Sequence, residues 1–252
     1  MSKETSIHSL QNPFVKHLVR LRQERRYRHE QRRVVIEGRK LIAEICSETV
    51  AEILCCCDPA SLPSTIKAKE ICLVSASIMR KISGLESPEG ILAVVPMPRE
   101  SRSLQQISRL LVLDGISDPG NMGTLLRTAS ALGWDAVAIL PNSCDPFNDK
   151  ALRAAQGAMF HLQLFHTEWS ALHSTIKDAG LRLLAADLSG VPIEKSVIST
   201  EKVALILGNE GAGISDQVSL CCEKIKIPMA GKMESLNVGT AGGILMYLLS
   251  GL

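Results

Sequence analysis

Three glycine-bearing stretches combine polar side chains with a backbone that a ligand can approach closely. The first runs Asp114-Gly115-Ile116-Ser117-Asp118-Pro119-Gly120-Asn121-Met122-Gly123 and leads into a helical pattern, Thr124–Ala129, that carries Arg127. A tight turn at a helix N-terminus aims amide donors at an anion or a polar group. Arg127 lies six residues past Asn121, within two helical turns, and can point back to the loop. The plain alternative makes Asn121 a helix cap and Arg127 a surface charge. The second stretch, Leu205-Ile206-Leu207-Gly208-Asn209-Glu210-Gly211-Ala212-Gly213-Ile214-Ser215, carries a buried strand into three glycines around one carboxylate. A carboxylate there repels phosphate and suits hydroxyl or amino groups; a simple strand–turn–helix joint is the alternative. The third, Ile227-Pro228-Met229-Ala230-Gly231-Lys232-Met233-Glu234-Ser235-Leu236-Asn237-Val238, sets Ser235 and Asn237 before an apolar helix, as site residues or as caps.

Two nucleotide signatures fail. The Walker pattern has Ile214 where its lysine belongs, and G-x-G-x-x-G breaks because Asp216 follows Gly211 and Gly213 at the third position. His161, His166 and His173 show no metal geometry with carboxylates, and the eight cysteines contain no C-x-x-C pair, so no metal is expected. Those cysteines behave as small hydrophobes, which suits a reducing cytoplasm. The start MSKETSIHSL lacks an apolar core of the signal-peptide kind, so no secretory signal is expected. Val238–Leu252, the most apolar stretch, is 15 residues long, short of the roughly 20 a spanning helix needs. It reads as a buried or interface helix, and no membrane partner is expected.

The elements that must position these loops follow from pattern. The chain's 252 residues are 46% hydrophobic with a net charge of +2, enough for one large or two small cores and too apolar for long disorder. Val34–Ile36, Ala51–Cys57, Ile71–Val74 and Gly90–Val95 read as strands, and Arg39–Glu48 and Ser75–Ile82 as helices, making residues 1–97 a small α/β unit. The polar, Pro-led segment 98–108 reads as a linker. Strands then recur at Leu110–Leu113, Ala136–Leu140, Leu162–Phe165, Leu181–Ala186, Val203–Leu207 and Ile225–Ile227 with helical patterns between most of them. Such alternation predicts a mainly parallel sheet covered on both faces over 109–252.

Charge divides the chain. Residues 1–40 hold eleven basic and four acidic side chains, and the other 212 hold 17 basic and 22 acidic. Arg20, Arg22, Arg25, Arg26, Arg28, Arg32 and Arg33 share 14 residues with only Glu24 and Glu30. A polyanion is the natural partner, a solvated helix face the alternative. With 3% aromatics there is no platform for stacked bases, so phosphate and shape recognition is expected.

Taken together, DPGNMGTLLRTASALG, LILGNEGAGIS and IPMAGKMESLNVGTAGGILMYLL resemble, in order and spacing, the three motifs of the SpoU (TrmH-like) RNA ribose 2'-O-methyltransferases of the SPOUT superfamily. The match covers about Arg109–Leu252. NPFVKHLVRLR, VIEGRKLIAE and SPEGILAVV are similar to the substrate-binding domain that often precedes it. The resemblance implies an L30e-like α/β RNA-binding domain at 1–97, a SPOUT domain with a deep trefoil knot at 109–252, and S-adenosylmethionine as cofactor. It implies an RNA partner and a homodimer, with ribosomal (23S) RNA favoured over transfer RNA by the separate N-terminal domain. A non-catalytic RNA-binding or ribosome-assembly factor is the rival of another class. The motif residues fall on Asn121, Arg127, Glu210, Ser235 and Asn237 as the catalytic set, and on Gly208, Ile227 and Leu236 as cofactor contacts. One departure stands out: Gly239-Thr240-Ala241 occupies the place of the family's usual Ser-Val-Ala.

Overall fold

The computed structural model describes residues 3–63, 66–100, 107–193 and 202–252. They divide into two compact units, Met1–Pro98 with Phe147–Arg153, and Arg99–Pro146 with Ala154–Leu252. Most of the expected linker, 101–106, lies outside the described residues. The short run 147–153, which a contiguous reading assigns to the second unit, clusters with the first. There Asp149 faces Arg22 at 3.3 Å, and the Phe147 ring meets His29 edge-on.

The first unit contains β1 (Lys3–Ile7), α1 (Pro13–Gln23), α2 (Arg25–Gln31), β2 (Arg33–Glu37), α3 (Arg39–Glu48), β3 (Ala51–Cys56), β4 (Ala68–Val74), α4 (Ala76–Ser83) and β5 (Ile91–Pro96). Its sheet runs β1-β4-β3-β5-β2, with β5 antiparallel to both of its neighbours. Local signals set the helix ends. Asn12 caps α1 ahead of Pro13, and Ser75 caps α4, which stops at Gly84. Val15, Leu18 and Leu21 of α1 and Ile78, Met79 and Ile82 of α4 pack on Cys55, Cys72, Leu92 and Val94. Strand β1 was not expected, because its alternation is short and polar; it adds in parallel to β4.

The second unit contains β6 (Arg109–Asp114), α5 (Pro119–Ala131), β7 (Ala136–Ile139), α6 (Asp149–Ala155, partly in the first unit), β8 (Gln163–His166) and α7 (Trp169–Asp178). It continues with β9 (Arg182–Pro192), β10 (Val203–Gly208), α8 (Asp216–Ser219), β11 (Glu223–Lys226) and α9 (Val238–Ser250). Among the described residues all its strand pairs are parallel, in the order β11-β9-β10-β6-β7-β8. Parallel strands buried on both faces need apolar residues at every position, which is why Leu110–Leu113 and Val203–Leu207 are unbroken runs. Leu110, Val112, Ala204 and Ile206 face Trp169, Leu172 and Ile176 of α7. Burying each leucine of this kind contributes about 1.5–3 kcal/mol. Helix α9 is pinned near its end: Trp134 Nε1 donates to the Met246 carbonyl at 3.4 Å and Arg109 Nε to that of Leu249 at 3.3 Å.

The chain leaves β6 toward β7 and β8 on one side, while β10 pairs with β6 on the other. Loops after β6 and β10 therefore diverge at a topological switch point, where open α/β sheets bind ligands. Both loops carry motif residues.

Candidate functional site

The register Gly208↔Asp114 brings the ends of β10 and β6 side by side, so their loops start from adjacent points. Asp118 begins α5 by accepting the Asn121 amide at 2.8 Å, with Pro119 in the first turn. Asn121 is thus a first-turn residue whose side chain is free to act elsewhere. In the other loop, Asn209 accepts the Gly211 and Ala212 amides on Oδ1 and sends Nδ2 to the Gly115 carbonyl at 2.8 Å. Gly208 is needed because a Cβ there would overlap the Gly213 carbonyl across the closed loop.

Glu210 and two asparagines join all three stretches. The Glu210 carboxylate accepts Ser117 Oγ at 2.8 Å, the Ser117 and Asp118 amides at 3.2 Å each, and Asn121 Nδ2 at 2.9 Å. Asn121 Oδ1 in turn accepts Asn237 Nδ2 at 3.0 Å. Asn237 also caps α9, its Oδ1 accepting the Gly239 and Thr240 amides. The cap reading of Asn237 is therefore realised through Oδ1, while Nδ2 of the same side chain ties the third stretch to the first. Burial works against the Glu210 charge, but hydrogen bonds from Asn121, its own backbone and Ser117 outweigh it and take the group from 4.5 down to about 2. At neutral pH this carboxylate is an ionised clamp and a poor base.

Beside the clamp lies a cavity of about 610 Å³. Gly208, Ile227, Leu236, Ser235, Glu210 and Asn237 all line it, together with the apolar side chains of Leu207, Ile225, Val238 and Leu245. Its size and its mix of apolar walls with loop backbone suit a nucleoside-sized ligand. Ser235 is exposed on this wall and makes no side-chain hydrogen bond among the described residues.

Arg127 stands apart. It is exposed on α5, outside the cavity wall, and makes no hydrogen bond or ion pair among the described residues. The arginine-rich segment lies in the other unit and divides further. Arg28, expected at an RNA surface, is 1% exposed, with Nη1 donating to the Leu21 and Arg22 carbonyls. It is a core strut, out of reach of any phosphate. Arg20 is held by Glu24 and stacks over Tyr27, Arg26 is held by Glu30, Arg33 by Glu52 and Arg22 by Asp149. Arg25 and Arg32 are exposed and make no ion pair among the described residues.

A family model described as the SpoU rRNA Methylase family matches residues 108–247, and one described as an MRM3-like substrate binding domain matches residues 12–93. The chain belongs to the SpoU rRNA Methylase family. It is 34% identical over 224 residues to the 23S rRNA (guanosine(2553)-2'-O)-methyltransferase RlmP of Bacillus subtilis, covering 86% of this chain and 88% of that one. An uncharacterized tRNA/rRNA methyltransferase of Synechocystis is 31% identical, covering 96% of this chain and 92% of its own. An AdoMet-bound rRNA methyltransferase from Sinorhizobium meliloti superposes with a TM-score of 0.86 at 25% identity, covering 98% and 97% of the two chains. This SpoU member is accordingly an RNA methyltransferase that uses S-adenosylmethionine, and the apolar, loop-edged cavity fits that group.

The motif spacing left three members of the arrangement unassigned: Ser117, Asp118 and Asn209. Asp118-Pro119 carries a helix-start signal that would have found the second. Nothing in the sequence marks Asp187, Leu188 and Lys226, which also line the cavity.

Proposed function

We propose that this protein methylates a ribose 2'-hydroxyl of ribosomal RNA, with 23S RNA the preferred target. The observation that carries the reading is the relay Glu210–Asn121–Asn237, which ties three distant stretches together at the mouth of one cavity. The 34% identity to a 23S rRNA 2'-O-methyltransferase supports the target class.

Gly208, Ile227 and Leu236 would hold S-adenosylmethionine through backbone groups and apolar contact. When bound, it supplies the electrophilic methyl of a sulfonium. Glu210, Asn121 and Asn237 fix the loops, and Ser235 orients the incoming ribose. Arg127 carries the chemistry: a guanidinium stays protonated, so it compensates the negative charge that grows on the 2'-oxygen. Its exposed and unpaired state leaves it free for RNA. The hydroxyl proton passes to water, because Glu210 is saturated with donors and held at about 2.

The first unit acts in this reading as an L30e-like RNA-binding domain, with Arg25 and Arg32 as phosphate contacts and Arg20, Arg22, Arg26 and Arg33 available only by leaving their carboxylates. A homodimer belongs to the same reading; exposed Ile244 and Tyr247, one turn apart on α9, support it. A trefoil knot in the second unit belongs to this reading too. Eight free cysteines suit a cytoplasmic protein. No helix among the described residues is long and apolar enough to cross a membrane.

The test is Arg127→Ala. Losing a preorganised donor of this kind costs about 10²–10³ in turnover. Labelled-methyl transfer to ribosomal RNA should fall by that factor while calorimetric affinity for S-adenosylmethionine stays within about twofold of the parent. Near-normal turnover would remove Arg127 from the mechanism.

A further inference from the structure

Strand β9 breaks register with β11 beside the cavity. Leu184 and Ala185 pair with Glu223 and Lys224, but the next β11 residue, Ile225, pairs with Val191. Residues 186–190 therefore leave the ladder as an excursion, and Ala186, Asp187 and Leu188 line the cavity. Gly190 closes the excursion: a Cβ there would sit 2.6 Å from the Ile225 amide nitrogen and 2.7 Å from the Lys224 carbonyl. The excursion is shaped from within as well. Asp187 Oδ1 accepts the Ser189 amide at 2.8 Å and its hydroxyl at 2.6 Å, and Oδ2 faces Lys224 Nζ at 3.2 Å.

Among the described residues that line the cavity, only three are charged: Asp187, Glu210 and Lys226. A carboxylate offers about four acceptor sites. Glu210 uses four, on Ser117, Asp118 and Asn121. Asp187 uses three and keeps one on Oδ2. It is thus the one carboxylate of the wall able to accept from a ligand. The donor it fits is neutral: Lys224 already sits against Oδ2 and Lys226 shares the wall, so an ammonium would enter beside two like charges, whereas a hydroxyl would not.

We propose that Asp187 is a specificity-determining residue that accepts a hydrogen bond from a ribose hydroxyl of the methyl donor. This rests on the reading of the cavity as the donor site, and deepens it by naming the group that is recognised. The excursion then serves as a ribose clasp, formed where β9 gives up its pairing.

Binding calorimetry with ligand variants tests it. The probes are S-adenosylhomocysteine, its 2'-deoxy and 3'-deoxy forms, and 5'-methylthioadenosine, which keeps the ribose and lacks the amino-acid portion. A hydrogen bond to a charged group corresponds to roughly tenfold in affinity or more. Asp187→Asn should raise Kd about tenfold for both S-adenosylhomocysteine and 5'-methylthioadenosine. One of the two deoxy ligands should bind the parent about tenfold more weakly and lose nothing further in Asp187→Asn, the non-additivity expected of a direct contact. Lys224→Met breaks the ion pair and keeps the carboxylate, and should change Kd less than about threefold. Additive losses with both deoxy ligands overturn the assignment, as does a loss confined to ligands that carry the amino acid, or an equal loss in Lys224→Met. If the parent binds S-adenosylhomocysteine and the cycle is additive, Asp187 alone is reassigned. If the parent binds none of the probes, the donor-site reading falls along with it.

Discussion

Polar side chains are put to opposite uses in the two units. In the second, side chains far apart in the chain bond to one another: Asn237 to Asn121, 116 positions away, and Asn121 to Glu210, itself 89 residues away. In the first, the arginines bond mostly to what is nearby. Arg20 and Arg26 pair with carboxylates four residues on, and Arg28 turns inward onto carbonyls six and seven residues back. Long-range polar contacts specify which loops meet. Local pairs settle charges on a helix surface and specify little, since water and salt screen exposed i,i+4 pairs. A count of like charges therefore overstates a binding surface, while a few polar residues spaced among glycines understate a site.

Arg28 gives the sharpest way to break this contrast, because it is the one member of the arginine cluster with a core role. Arg28→Ala removes a fully buried side chain and strands two carbonyls, so a cost of about 3 kcal/mol or more is expected. For a unit of about 100 residues this lowers the midpoint of thermal unfolding by roughly 12–24 °C. Calorimetry of the full chain should show that loss, and calorimetric binding of S-adenosylhomocysteine at low temperature should be unchanged. A stable Arg28→Ala with weakened RNA binding would mean that this arginine swings outward and works as a phosphate contact.

Glu210→Gln probes the other side. The isosteric amide keeps a carbonyl acceptor but forfeits the charge that Ser117, Asp118 and Asn121 converge on. Hydrogen bonds to charged groups are worth about 1.5–3 kcal/mol, so turnover should drop about 10- to 100-fold through misplaced loops. The pH dependence has a definite sign. The folded state lowers the Glu210 carboxyl from 4.5 to about 2, so it favours the ionised form. The resulting stability is fully present above about 4.5 and is lost as pH falls through about 2. Urea midpoints measured from pH 6 to pH 2 should therefore decline less in Glu210→Gln than in the parent, and parallel curves would show that the clamp is not electrostatic.

Much of this was legible in the sequence, for reasons that also explain the gaps. The parallel sheet followed from the alternation of strand and helix patterns over 109–252, and the unbroken apolar run Leu110–Leu113 fits the burial on both faces that such a sheet imposes. Glu210 and Asn237 stood out because polar residues beside glycines and apolar helices need partners. Neither the partners nor the inward turn of Arg28 could be read, because both depend on tertiary register. The same holds for β1, whose polar alternation gains its apolar neighbour only through β4, and for the excursion at 186–190, which exists only relative to β11. The run 147–153 joined the first unit through Arg22 and Asp149, a pairing that lies 127 residues apart and leaves no local trace.

The smallest expected effect separates arginines that are free from those that are paired. Arg25 and Arg32 carry charges that nothing in the described structure neutralises, so each phosphate contact they make releases counterions. Their joint replacement by alanine should reduce the slope of log K against log salt for RNA binding by roughly 1.4–1.8 and weaken binding most at low salt. Arg20 and Arg26 must first give up Glu24 and Glu30, and the pair as a whole is neutral. Removing both arginines exposes two carboxylates to the RNA but surrenders few counterions, so the slope should fall by less than half as much. The comparison is made by titrating one RNA fragment at several salt concentrations with both double variants. Equal slopes for the two would mean that RNA strips the intrahelical pairs, making the whole exposed arginine set one electrostatic surface.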